Sequence, residues 1–194
     1  MIEGLEFEDD NLSPEVALNY YINDDTSVYI AYKKAFKSGG IDNSALPTAS
    51  INPLSPTFEG FDALIYDSEE ADGFEIGLKS NLMDGNMRLN ATYYKYEYTD
   101  LQVQLFDAAI IQFSTFNAGA VETEGFEADL LWYTDIEGLT VRSQFAWTDA
   151  TNTGDFFTPG GENLKGSERS YSPEIAGSFG PVSYTHLTLP TNQC

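Results

Sequence analysis

The sequence predicts an all-β fold whose antiparallel strands follow one another up and down, and two observations predict it. The first is an alternation of apolar and polar residues with period two, which is typical of a half-buried strand. The second is a regular alternation of short and long connections between the predicted strands. The alternation gives about seven strands, at residues 14–22, 26–36, 71–82, 87–106, 119–134, 139–150 and 170–180.

The period-two pattern assigns residues to two faces of one sheet. Around Glu127, for example, the apolar residues Phe126 and Ala128 flank an acidic one. Successive side chains of a strand point to opposite faces. The apolar face is expected to carry Val28, Ile30, Phe74, Ile76, Leu78, Leu89, Ala91, Phe126, Ala128, Leu130, Val141 and Phe145. The polar face is expected to carry Arg88, Asn90, Glu127, Asp129, Arg142 and Gln144. Two residues break the pattern, Ser143 on the apolar face and Leu131 on the polar face.

The lengths of the connections between strands indicate the kind of protein to which such a sheet belongs. The short connections are turns rich in Asn, Asp and Gly, at 23–25, 83–86 and 135–138, and the long ones are 37–70, about 107–118, and 151–169. An up-and-down meander places short turns on one edge and long loops on the other, as in bacterial outer-membrane barrels. A Greek-key sandwich gives no reason for that sorting. We therefore predict part of a transmembrane β-barrel.

The aromatic residues favour the same interpretation, because rings of this kind collect at the two membrane interfaces. The chain contains 12 Tyr, 13 Phe and 2 Trp. One predicted belt, beside the short turns, consists of Tyr20, Tyr21, Trp132 and Tyr133. The other, towards the long loops, consists of Tyr32, Phe36, Tyr96, Tyr98 and Trp147.

Composition excludes several classes of function. The net charge of −22 leaves no basic patch for nucleic acid. The only His and the only Cys, His186 and Cys194, lie near the C-terminus, so the preceding residues lack the groups for zinc, thiol or His-based chemistry. No apolar run reaches the roughly 20 residues of a transmembrane helix. We predict no catalytic residue, no cofactor and no metal ligand, and hence a protein that is not an enzyme.

Two acidic groups and one glycine motif have both a functional and a structural interpretation. The first group consists of Glu122, Glu124, Glu127 and Asp129. These residues could supply catalytic carboxylates, but we favour a polar row that faces a barrel lumen. The second group consists of Asp67, Glu69, Glu70 and Asp72. These residues could bind Ca²⁺, but their spacing matches no calcium-loop motif, so we favour a solvated external loop. Lys37-Ser38-Gly39-Gly40 lacks the order of a phosphate loop, so we expect it to end a strand.

Several stretches together resemble the C-terminal half of the barrel of a TonB-dependent outer-membrane receptor, over roughly residues 12 to 180. In chain order they are Ser27–Gly40, Gly73–Ser80, Asn90–Tyr94, Tyr98–Gln102, Asn117–Gly119, Gly125–Ala128, Gly138–Thr140 and Ser172-Pro173. Each stretch alone is a weak signal, and the ordered series is a strong one.

The resemblance implies a barrel of about 22 strands closed by an N-terminal plug, in the outer membrane of a Gram-negative bacterium. It implies surrounding lipid, uptake of a scarce nutrient such as a ferric siderophore, and contact with the TonB complex through an N-terminal region. The chain departs from that pattern: it has no plug, no TonB box and no final aromatic strand end. Ligand contacts in such receptors come from external loops, and none is assigned here, although some residues lie in plausible places: Tyr32, Phe36, Lys37, Phe58 and Phe61.

We predict two regions, residues 1–180 as barrel wall and residues 181–194 as a non-native tail. Within that tail, Val182–Thr191 is similar to a peptide that arises when sequencing-adapter DNA is translated. A genuine further strand is the alternative. No secretory signal precedes the first strand, so we expect an N-terminus internal to a longer protein.

Two other functions remain open at this stage. A secreted or surface-attached β-rich adhesin is the main alternative, and a β-sandwich carbohydrate-active enzyme is a weaker one. An adhesin would bury its apolar face under a second sheet, whereas a barrel turns that face to lipid. The surroundings of the apolar face therefore distinguish them.

Overall fold

The computed structural model describes residues 7–42, 64–107, 112–158 and 161–183, in which eleven β-strands form. Seven of them make one antiparallel sheet in the order β1-β2-β5-β6-β9-β10-β11. They are β1 (Glu15–Tyr21), β2 (Thr26–Lys37), β5 (Glu69–Leu82), β6 (Met87–Thr99), β9 (Ala120–Tyr133), β10 (Leu139–Asn152) and β11 (Ile175–Ser183). The other four form two small ladders, β3 (Gly40–Ile41) with β4 (Ile65–Tyr66) and β7 (Gln102–Asp107) with β8 (Gln112–Asn117).

The predicted meander is confirmed, and its short turns have local causes. Between β5 and β6 the chain reverses through three consecutive left-handed residues, Met83, Asp84 and Gly85 (φ 54°, 55° and 87°). The Gly85 N–H donates to the Leu82 carbonyl at 3.2 Å. Two left-handed residues match the twist of a tight hairpin. The turn between β9 and β10 uses Gly138 at φ 75°.

One predicted strand, 87–106, is two strands. The chain leaves the main sheet after Thr99 through Asp100, which has φ 52°, and returns to it after Gly119, which has φ 66°. Between these points β7 and β8 form a second hairpin on which Gln102 pairs with Asn117. The predicted loop at 107–118 is therefore largely strand. Asp100, where the chain leaves the sheet, and Gly119, where it returns, are residue types that tolerate the left-handed conformation.

Cross-strand register confirms the predicted separation of faces. Directly opposed residues share a face. One apolar row crosses all seven strands without interruption, and it consists of Leu18, Ile30, Ile76, Tyr93, Phe126, Trp147 and Ile175. Ser143 opposes Leu130 on this face, and Leu131 lies between Arg88 and Arg142 on the other. Both exceptions to the pattern thus lie where the alternation put them.

The apolar face is the more exposed side of the sheet. Leu18, Ile76 and Phe179 on it are 67%, 50% and 72% exposed. In contrast, the polar face contains Ala31 and Val121, which are 3% and 5% exposed. No other described strand packs over the apolar row. No helix in the described ranges is long and apolar enough to cross a membrane.

Charged residues begin abruptly at one end of the apolar face. Two residues beyond Tyr93 and Phe126 on their strands come Lys95 and Glu124, which oppose each other. The same change occurs from Tyr32 to Lys34 and from Trp147 to Asp149. We name Tyr32, Phe74, Tyr93, Phe126 and Trp147 the aromatic girdle; all five lie on the apolar face.

The girdle differs in part from the predicted belts. Tyr32, Phe36 and Trp147 lie on the apolar face near the long loops, and Tyr20 and Trp132 lie on it near the turns, as expected. The prediction was wrong for the remaining members, Tyr96, Tyr98, Tyr21 and Tyr133, whose register places them on the polar face. Nearness to a strand end does not fix the face, because adjacent residues point to opposite sides.

The last described strand extends past the predicted boundary at residue 180. Pro181 opposes Val141, and Ser183 opposes Leu139 at the end of β11. Because β11 is the outer strand of the described sheet, a proline without an N–H is tolerated there. Residues 181–183 therefore pair with the sheet, although the predicted boundary assigned them to the tail. Residues 184–194, with His186 and Cys194, lie outside the described residues.

Candidate functional site

A connected set of polar side chains crosses the polar face of β2, β5 and β6. The Lys33 ammonium lies 3.0 Å from Glu75 Oε2. The Tyr96 hydroxyl donates to the other carboxylate oxygen of Glu75 at 2.6 Å. Each carboxylate oxygen thus has a charge-assisted or short hydrogen bond, which fixes the side chain. This cluster lies on the long-loop half of the sheet.

Tyrosine rings on the polar face cover glycines of the neighbouring strand. A Cβ on Gly77 would overlap the Tyr29 ring. The Tyr29 ring lies over Gly77, and its hydroxyl forms a hydrogen bond with Thr92 Oγ1 at 3.1 Å. The same relation joins Tyr94 with Gly125 and Tyr96 with Gly73. Glycine is needed at these positions for close approach.

We expect Gly77→Val to destabilise the barrel by about 1–3 kcal/mol, because the added side chain must displace the Tyr29 ring and break its bond to Thr92. Gly180→Val is the matched control, since nothing lies within 4 Å of a Cβ there. Its effect should be about 0.5 kcal/mol or less. Urea unfolding of the full-length protein measures the loss of stability in both variants. Equal losses in the two variants would contradict the role of ring packing.

An open hollow of about 490 Å³ lies on the polar face of β6, β9, β10 and β11. Among the residues that line it, the Asn90 amide donates to both carboxylate oxygens of Asp129, at 3.1 and 3.0 Å. Glu127, Gln144 and Ser178 line its walls. The lining offers both hydrogen-bond donors and acceptors, so it can hold a polar surface of complementary shape.

A second polar cluster lies where the long connections meet. The Gln102 side-chain amide donates to the carbonyls of Ser38 and Asp67 at 2.9 and 3.1 Å. Opposite it on β8, the Asn117 amide donates to the carbonyls of Asp67 and Asp100 at 2.9 and 2.7 Å. We call Gln102 and Asn117 the loop clamp. Sequence analysis did not single it out, although both residues lie within the stretches that carry the family resemblance.

The first acidic group is divided between the two faces. Glu127 and Asp129 lie on the polar face, as expected. Glu122 and Glu124 do not: they lie beyond the aromatic girdle on the other face, where Lys95 Nζ is 2.8 Å from Glu122 and 3.8 Å from Glu124. The prediction of one lumen-facing row was therefore wrong for these two residues. A strand places Glu124 and Glu127 on opposite sides because they are separated by three positions.

The second acidic group is mostly strand. Glu69, Glu70 and Asp72 begin β5, so the expectation of an external loop holds only for Asp67. The Lys34 ammonium lies 2.8 Å from the Glu70 carboxylate, and the Asn11 amide donates to the same carboxylate at 3.0 Å. Within the described residues, no group of three His, Cys, Asp or Glu side chains is arranged to hold a metal ion.

The five residues that the sequence analysis considered for ligand contact do not lie together on one face of the described sheet. Tyr32 and Phe36 lie on the apolar face, whereas Lys37 lies on the polar face opposite Glu69. Phe58 and Phe61 lie outside the described residues. Lys37 ends β2 and Gly40 begins β3, which confirms that this glycine motif ends a strand.

Solved structures of similar fold include bacterial uptake and siderophore receptors. The ferric yersiniabactin uptake receptor of Yersinia pestis is 18% identical, with a TM-score of 0.60 over 84% of this chain and 21% of its own. The ferripyoverdine receptor of Pseudomonas aeruginosa is 17% identical, with a TM-score of 0.59 over 93% and 21%. The siderophore receptor PiuA of Acinetobacter baumannii is 21% identical, with a TM-score of 0.58 over 85% and 22%.

The chain thus spans about a fifth of the length of these structures. At such identities the likeness shows the fold. A search of curated proteins by sequence gave no match. The family described as TonB dependent receptor-like, beta-barrel, matches residues 3–192. With that match covering almost the whole sequence, the chain belongs to the TonB-dependent receptor β-barrel family.

Proposed function

We propose that the chain forms part of the barrel wall of an outer-membrane receptor that imports a ferric siderophore or a similar scarce nutrient. Its apolar face contacts the lipid of a Gram-negative outer membrane. Its polar face lines the lumen, and its long connections face the outside. Energy for import comes from the TonB complex, which acts through a part of the receptor outside these strands.

One observation carries this proposal: an apolar row crosses seven strands, remains exposed and gives way to charge just beyond an aromatic girdle. A soluble protein rarely exposes so large an apolar surface. On the lipid face of a transmembrane barrel this arrangement is the expected one, an apolar band flanked by aromatic residues. The adhesin alternative needs a second sheet over that face, and no described strand supplies one.

The ligand class is supported by receptors of similar fold, three of which take ferric yersiniabactin, ferripyoverdine and ferric catecholates. These three complexes form a test panel. We expect the full-length receptor, expressed in a bacterium that lacks its own siderophore receptors, to take up radioactive iron from at least one of them. Uptake should disappear when the TonB complex is deleted, because import is driven by it.

The matched control is the same receptor without residues 87–133, which removes β6 and β9 from the wall together with the β7–β8 hairpin. If the full-length receptor inserts into the membrane but takes up no panel member, its ligand is another scarce nutrient and not one of these ferric complexes. Uptake that persists in the TonB-deleted strain would contradict active import by this receptor.

A further inference from the structure

The loop clamp joins four backbone segments that are far apart in the sequence. The Gln102 side-chain nitrogen donates to the carbonyls of Lys37 at 3.3 Å, Ser38 at 2.9 Å and Asp67 at 3.1 Å. Its backbone N–H donates to Glu69 Oε2 at 3.0 Å. A single residue of β7 therefore holds the end of β2 and the connection that precedes β5.

Asn117 uses every hydrogen-bonding atom of its side chain. Its Oδ1 accepts the Asp67 N–H at 2.7 Å, and its Nδ2 donates to the Asp67 carbonyl at 2.9 Å. A third bond, from Nδ2 to the Asp100 carbonyl at 2.7 Å, fixes the turn by which the chain leaves the main sheet. Only one orientation of the amide satisfies one N–H and two carbonyls.

The clamp lies at the base of the β7–β8 hairpin, since Gln102 and Asn117 form its first pair. Farther along, the rings of Phe106 and Phe113 lie 5.1 Å apart and are 47% and 51% exposed. Side contact to the hairpin comes from Asp42, whose Oδ2 accepts the Thr115 N–H. Among the described residues, these polar contacts tie the hairpin to the end of β2 and to the connection before β5.

We propose that Gln102 and Asn117 are positioning residues for ligand recognition: they hold the β7–β8 hairpin in one orientation relative to the connections after β2 and before β5. This inference rests on the proposed function, because it concerns the external side of the same receptor. Neither residue touches the ligand. They act by keeping the hairpin from moving as a separate unit.

The first test measures hairpin orientation without any ligand. Spin labels at Ser38→Cys and Ser114→Cys, in the full-length receptor with its native cysteines replaced, report the distance between the hairpin and the end of β2. Both labelled positions keep the backbone atoms that the clamp uses. We expect a narrow distance distribution, which the double variant Gln102→Leu/Asn117→Leu should broaden about twofold.

Gln104→Leu is the matched control, because Gln104 is the same residue type on the same side of β7, two positions farther along. It should leave the distribution unchanged. Gln102→Glu separates hydrogen bonding from shape: it keeps the size of the side chain but presents an acceptor to three carbonyls. It should therefore broaden the distribution as the leucine variant does, and a narrow distribution in Gln102→Glu would overturn the proposal.

The second test measures import of the panel member that the receptor takes up. We expect the clamp double variant to raise KM about tenfold, which corresponds to weaker recognition, with the maximal rate unchanged. Gln104→Leu should match the wild type in both parameters. An unchanged KM together with a broadened distance distribution would refute the role in recognition. If the wild type imports no panel member, its ligand is not one of these ferric complexes, while the distance measurement still tests the clamp.

Discussion

Ala128→Arg should destabilise the membrane-inserted receptor by about 2–4 kcal/mol, the cost of a cationic side chain at the midplane of the lipid face. Ala128 lies between Ala91 and Phe145 on the apolar face, midway between Trp132 and Glu124. No carboxylate opposes it on either neighbouring strand. Unfolding by urea in lipid vesicles, followed by tryptophan fluorescence, measures the loss.

Ala146→Arg provides the matched control, because it introduces the same side chain on the other face at nearly the same height. Ala146 opposes Glu127 and borders the open hollow. An arginine there has room and a carboxylate partner, so its effect should be about 0.5 kcal/mol or less. Similar losses from both substitutions would mean that the two faces meet the same surroundings, and the lipid-facing assignment would be wrong.

The faces of the sheet could be predicted because they depend only on position along each strand. Glu75 and Ile76 are neighbours in sequence, and the pleat alone sends them to opposite sides. Register between strands was not needed for that step. The turns were equally accessible, since Asp84-Gly85 and Glu137-Gly138 carry residues that adopt the left-handed conformation.

The candidate site could not be predicted, because it depends on register. Nothing local to Tyr29 indicates that Gly77 is opposite, and the two are joined only by the pairing of β2 with β5. The loop clamp is harder still, since Gln102 contacts carbonyls about 35 and 65 residues away. Backbone carbonyls leave no trace in a side-chain pattern, so sequence analysis gave these contacts no weight.

Residues 7–183 expressed alone should not give a soluble monomer that unfolds cooperatively. The apolar face of the described sheet is exposed, and Leu18 and Phe179 on it are 67% and 72% exposed. Exposed apolar strands with unpaired edges aggregate. Size-exclusion chromatography and urea unfolding monitored by Trp132 and Trp147 fluorescence measure the outcome.

A variant with polar residues in the apolar face distinguishes the two causes of aggregation, which are the exposed apolar face and the unpaired strand edges. Ile30→Thr, Ile76→Thr and Phe145→Thr together keep β propensity while reducing the apolar surface, so the triple variant should stay in solution longer. It should still unfold without cooperativity, because β1 and β11 each pair on one side only among the described strands. A wild-type chain that forms a stable monomer would require its apolar face to be covered by its own residues. That result would favour the secreted β-rich protein over the barrel wall, since lipid would no longer be needed to cover the sheet.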